Sequence, residues 1–183
     1  MKILVVGVGN PILRDDGVGV HVARYLRRVI GQSKYVDVLD LNTQGLALAE
    51  AFFGYDKVIV VDAMMTKNGR PGEIKILKPE DFDSTLHATS PHDTNFRTAL
   101  EVCRNIDPTR YPKEIVVIGI EIKHTTEFGD NLSPEVAIAV PKTIKKILDI
   151  ICDWLKSECI FIYDEHELKK VFIEVSNIKG VSK

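Results

Sequence analysis

The chain has few cysteines, no excess charge of either sign and no long apolar run. Its three cysteines are Cys103, Cys152 and Cys159. An odd set without C-x-x-C spacing argues against a disulfide framework and against a thiolate zinc cage. Free thiols fit a reducing compartment. Twenty-four Lys and Arg stand against 26 Asp and Glu, a net charge of −2. That balance gives no global field for nucleic acid or an anionic membrane. No stretch approaches the roughly 18 apolar residues that would span a bilayer. Met1-Lys2-Ile3 runs straight into a strand-like segment, without the basic region, long apolar stretch and small-residue cleavage site of a leader. The expected location is therefore the cytoplasm. The 45% apolar content excludes a disordered chain. The 183 residues amount to about one domain.

The pattern along the chain predicts an α/β domain. Residues 2–8 are apolar and β-branched, and Gly9, Asn10 and Pro11 follow as turn formers, which reads as a buried parallel strand. Val18, Val22, Tyr25, Leu26 and Val29 share one face of a helix over 18–30, with Asp15 and Asp16 before it as cap candidates. A strand over 35–41, a short helix over 46–53 closed by Gly54 and a central strand over 57–63 complete a β-α-β-α-β order. That order argues for a doubly wound sheet with right-handed crossovers. Residues 73–77 alternate as an edge strand, 84–92 read as a polar loop, 93–105 as a helix and 114–121 as the last buried strand. Ser133-Pro134-Glu135 starts a helix running to about residue 156, which Pro141 should kink or split. The expected organisation is one domain over 1–156 with an appendage over 157–183.

Three groups stand out by placement. Open parallel sheets gather ligands beyond the carboxyl ends of their strands. Asp15 and Asp16 follow the first strand, Asp62 ends the third, and His92 lies in a polar loop returning over the same edge. Each also has a plain structural reading: a helix cap for Asp15 or Asp16, a turn cap for Asp62, a solvated loop residue for His92. Together, two carboxylates and an imidazole make a hard, open metal site of catalytic type. His87 is a backup ligand and His124 could reach the same cleft. His21 reads as a boundary residue and His166 as solvated. Gly7-Val8-Gly9 invites a dinucleotide reading, but Ile12 stands where G-x-G-x-x-G needs its third glycine. Two carboxylates at the helix start would also repel a pyrophosphate. No nucleotide cofactor is expected, and no nucleophile-elbow serine is present.

The segment Gly7-Val8-Gly9-Asn10-Pro11-Ile12-Leu13-Arg14-Asp15-Asp16-Gly17-Val18-Gly19 resembles the opening signature of the hydrogenase maturation endopeptidases. Asp62 resembles the family's second acidic residue, and Ser90-Pro91-His92-Asp93 its S/T-x-H loop. Val117-Ile118-Gly119-Ile120-Glu121 and Leu132-Ser133-Pro134-Glu135-Val136 resemble two later blocks, so the likeness runs over residues 1–150. Asn42-Thr43 stands where many members have a glycine pair, and Glu121-Ile122 where a Gln-Pro is common. With Glu127-Phe128, that variation looks more like members serving archaeal deazaflavin-reducing hydrogenases.

The resemblance implies a three-layer α/β/α fold around a twisted, mostly parallel five-stranded sheet with one antiparallel edge strand. It implies an endopeptidase, often classed as aspartic-type, that removes a C-terminal peptide from the nickel-loaded large subunit of a nickel–iron hydrogenase. Asp16, Asp62 and His92 would be the metal-contacting and catalytic residues, and the nickel would arrive on the substrate. The partner would be the large-subunit precursor, with no nucleic acid and no membrane involved. Two alternatives remain at this point: a non-cleaving assembly factor for a metallo-subunit, and a metal-dependent hydrolase of small substrates.

Overall fold

The computed structural model describes residues 1–42, 45–82, 96–123, 128–129, 131–161 and 163–177. Strands β1 (Ile3–Val8), β2 (Val36–Leu41), β3 (Lys57–Met64), β4 (Ile74–Leu77) and β5 (Glu114–Glu121) form one sheet in the order β2-β1-β3-β5-β4. All neighbours are parallel except β4, which runs antiparallel to β5 at the edge. β1 lies between β2 and β3, so successive crossovers from it run to opposite sides. The switch point for ligands in such sheets is therefore at the carboxyl ends of β1 and β3.

Alternation along the strands feeds two cores. Ile3 and Val5 of β1, with Ile59 and Val61 of β3, face helices α1 (Val18–Ile30) and α5 (Pro134–Leu155). Leu4, Val6, Val58 and Val60 point the other way, against Leu48 and Phe52 at α2 (Gly45–Glu50) and Leu100 and Cys103 of α4 (Phe96–Ile106). A sheet buried on both faces needs continuous apolar strands, and all six residues of β1 are buried. A one-turn helix, α3 (Pro79–Phe82), follows β4. This is the three-layer arrangement expected, with β4 as the antiparallel edge.

The chain beyond residue 156 continues into the first of these cores. A 3-10 segment, Lys156–Phe161, leads to α6 (Glu165–Asn177), whose Val171 and Val175 are buried with α1 and α5. Asp164 caps α6 by accepting from the His166 and Glu167 N–H groups at 2.7 and 3.2 Å. Arg28 of α1 pairs with Glu174 at 2.9 Å and Glu167 at 3.6 Å.

Three expectations change. Pro141 does not split its helix: α5 is one element of 22 residues. The proline is itself buried on the stripe of Val136, Val140, Ile144 and Ile147, so packing along the stripe offsets the one missing N–H donor. Cys152 and Cys159 are not free thiols but a disulfide with Cα atoms 4.8 Å apart. Lys156, at φ +53°, ends α5 with its N–H on the Cys152 carbonyl and turns the chain back toward it. Among the described residues Cys103 alone is free, and it is buried. Finally, neither Asp15 nor Asp16 caps α1. Gly17 holds the cap position without a side-chain bond, and both aspartates lie in a preceding 3-10 turn, Arg14–Gly17.

Candidate active site

The loop after β1 is a compact unit built on its own hydrogen bonds. Leu13 N–H donates to the Asn10 carbonyl at 3.0 Å and Asp16 N–H to the Leu13 carbonyl at 3.1 Å. Ile12 N–H donates to Asn10 Oδ1 at 3.2 Å. Asp16 Oδ2 folds back to accept the Asn10 N–H at 2.8 Å. Gly9 has φ +135°, and a Cβ there would stand 2.0 Å from the Asp16 carbonyl oxygen. A Cβ on Gly7 would be equally close to the Gly19 carbonyl oxygen. The two glycines of the nucleotide-like motif thus let this loop and α1 close onto the strand.

The adjacent aspartates have different tasks. Asp15 is 5% exposed, and its Oδ1 accepts the Ser133 N–H at 2.6 Å. It joins the first loop to the start of α5. Asp16 instead lies near enough to Asp62 for its charge to bear on that carboxyl.

Asp62 ends the buried run of β3 and is 9% exposed. Its Oδ1 accepts the Ala63 N–H at 2.8 Å. Its pKa is raised to about 8: burial is the largest cause, the charge of Asp16 adds to it, and the Ala63 bond opposes both. Desolvation is thus the main cause and like charge the second. Near neutral pH Asp62 keeps its proton beside Asp16. Such a pair can hold a proton for transfer, or release it to accept a cation between hard oxygen donors.

Two of the three expected residues therefore converge at the switch point. His92, with His87 and His124, falls outside the described residues. Among the described residues no group of three or more His, Cys, Asp or Glu side chains is placed to hold a metal. His21 is half-buried and His166 exposed, in keeping with the roles read from their positions.

Glu121 was legible only as a departure from a common Gln. It is 1% exposed at the end of β5, level with Met64 of β3. Its carboxylate accepts from the Thr66 N–H at 3.1 Å, the Thr66 hydroxyl, and Lys75 Nζ at 3.1 Å. It also receives Gly69 so closely that a Cβ there would meet the carboxylate at 2.1 Å. Glu121 thereby anchors the turn that leaves β3 just beyond Asp62. No spacing rule identifies such a residue; a carboxylate closing an apolar strand was the available signal. A cavity lined by Leu100, Arg104, Tyr111 and Ile115 lies by α4 and the start of β5, at the opposite end of the sheet from the carboxylates.

Comparison with known proteins agrees with this fold. The hydrogenase maturation protease family profile, HycI, matches residues 20–150. The hydrogenase 2 maturation protease of Escherichia coli is 30% identical over 149 residues, spanning 81% of this chain and 89% of its own length. Protein FrxA of Pyrococcus furiosus is 32% identical over 139 residues, 75% of this chain and 96% of that one. Among solved structures, the hydrogenase maturating endopeptidase HybD from E. coli aligns with a TM-score of 0.71 at 28% identity, covering 84% of this chain and 93% of its own. The maturation protease HycI from Thermococcus kodakarensis aligns at 0.63 and 26% identity, covering 81% and 91%.

Proposed function

The chain belongs to the hydrogenase maturation protease family, and we propose that this peptidase removes a C-terminal peptide from the nickel-loaded large subunit of a nickel–iron hydrogenase. Membership sets aside the non-cleaving assembly factor and the small-substrate hydrolase. The observation that carries the reading within this chain is the pairing of Asp16 with a buried, proton-retaining Asp62 at the sheet's switch point.

The proposed mechanism follows from that pair. The substrate's own cysteines hold the nickel, and Asp16, Asp62 and His92 add ligands from the protease side. Contact with the cation favours the ionised form of Asp62, so its proton leaves as the substrate docks. Two carboxylates and one imidazole bind a free divalent ion modestly, which suits an enzyme that reads a metal on its partner. The docked metal polarises the scissile carbonyl or activates a water, or it positions the tail while Asp16 acts as general base. Either route needs the metal present before the peptide bond can be cut.

The test uses nickel-loaded precursor. The likeness of the Glu121 and Glu127-Phe128 blocks to archaeal deazaflavin-reducing members makes a large subunit of that class the first substrate to try. Asp16→Asn and His92→Ala should each lower cleavage about 10²-fold or more, with unchanged circular dichroism. Normal cleavage by either variant would sink the assignment of that residue. Precursor without nickel should resist the wild-type enzyme; equal processing of both forms would end the docking role.

A further inference from the structure

Beside the carboxylate pair lies a second feature that catalysis does not absorb. Leu13 forms an isolated parallel bridge with Gly129. Arg14 N–H donates to the Gly129 carbonyl at 2.7 Å, and Gly129 N–H to the Ile12 carbonyl at 3.0 Å. One step back in this register, Ile12 lies alongside Phe128, and neighbouring parallel segments run about 4.8 Å apart. Both side chains are turned to solvent. Ile12 is 58% exposed, and Phe128, at 80%, is the most exposed large apolar side chain among the described residues.

Scattered apolar residues on a surface need no explanation. This pair differs in being built. Gly129 is held close under Arg14, where a Cβ would come within 3.2 Å of Arg14 Cγ. Arg14 has φ +47°, which reverses the chain immediately after Ile12 and Leu13 and returns it to Asp16. Ile12 is also tied to Asn10, whose N–H donates to Asp16. Ile12 and the Asp16 carboxylate therefore belong to one hydrogen-bonded loop, and Gly129, bonded to that loop, holds Phe128 on the same edge.

We propose that Ile12 and Phe128 are specificity-determining residues that clamp an apolar side chain of the precursor beside the scissile bond. The clamp rests on the peptidase reading above. It supplies what two carboxylates and an imidazole cannot: a contact that depends on the sequence flanking the cut and fixes which bond reaches the metal.

The test pairs kinetics with cross-linking, using full-length enzyme and nickel-loaded precursor. Ile12→Ser and Phe128→Ser leave the buried core intact and should melt with the wild type. Each should lower kcat/KM on the order of tenfold, while Phe128→Leu, which keeps an apolar group, retains most activity. Serine variants cutting at the wild-type rate would overturn the clamp. In the second arm a photoreactive benzoylphenylalanine replaces Phe128. Its cross-links should map by mass spectrometry to precursor residues flanking the cleaved bond; cross-links mapping elsewhere, or none, would overturn the proposal. The second arm needs no turnover. Wild-type enzyme that failed to cut would overturn the peptidase reading, whereas a wild type that cuts without these cross-links would overturn the clamp alone.

Discussion

Asp62 has its protonation state set by where β3 ends. Folding moves its pKa from an ordinary 3.8 up to about 8. The folded protein therefore binds this proton more tightly than the unfolded chain. The stability this confers is full below the unfolded value and is lost as pH rises toward about 8. Asp62→Asn removes the titration and keeps a neutral group of similar size. It should match the wild type near pH 4 and exceed it at pH 8 by on the order of a few kcal/mol. Urea unfolding at both pH values measures the difference, and a variant no more stable than wild type at pH 8 would contradict it. The same variant should not cleave precursor, so the residue trades stability for function. Much of this was legible beforehand. Asp16 and Asp62 sit at strand ends, and the doubly wound order sends those ends to one edge. Position alone did not separate Asp15 from Asp16; only the family resemblance singled out Asp16. The two are adjacent in a 3-10 turn, and the partner that claims Asp15 is Ser133, 118 residues away.

At the scale of elements, the first 64 residues were the most readable, because each apolar run is bounded by turn formers. The C-terminal helices were less so. A proline rule for isolated helices predicted a kink or a split in α5, and with Pro141 buried on the stripe the helix is not split. The Cys152–Cys159 link depends on the reversal at Lys156, which no periodicity announces. Its spacing of seven residues closes a short loop, worth about 2 kcal/mol in the chain-entropy account. Protein purified without reductant and then unfolded should show one reactive thiol, Cys103, and three after reduction. Three without reduction would mean the link does not form. Cys152→Ser should lower stability by about that amount in the unreduced protein and leave the reduced protein nearly unchanged.

Over the whole molecule, the site and the C-terminal helix occupy opposite ends of α1. Helix α1 starts beside Asp16, whereas α6 is held at its far end by Arg28 and by the Asp164 N–H bond to the Val29 carbonyl. Residues 164–183 also lie beyond the stretch matched by the family profile. Removing them uncovers the surface that receives Val171 and Val175. Truncation after Tyr163 should destabilise the protein by roughly 2–5 kcal/mol, the range for losing buried aliphatic groups, while cleavage persists below the lowered melting temperature. Loss of cleavage in a still-folded truncated chain would place α6 in the function.

The tie between Asp15 and Ser133, with the Leu13–Gly129 bridge beside it, bears on how the enzyme is made. During synthesis β1, α1 and β3 leave the ribosome early and carry both carboxylates with them. The loop that aims Asp16 gains its distant supports only when residues 129–133 follow, long after β3 has been made. The cutting edge is thus among the last parts of the molecule to be assembled, and a half-made chain carries the acids without the frame that points them.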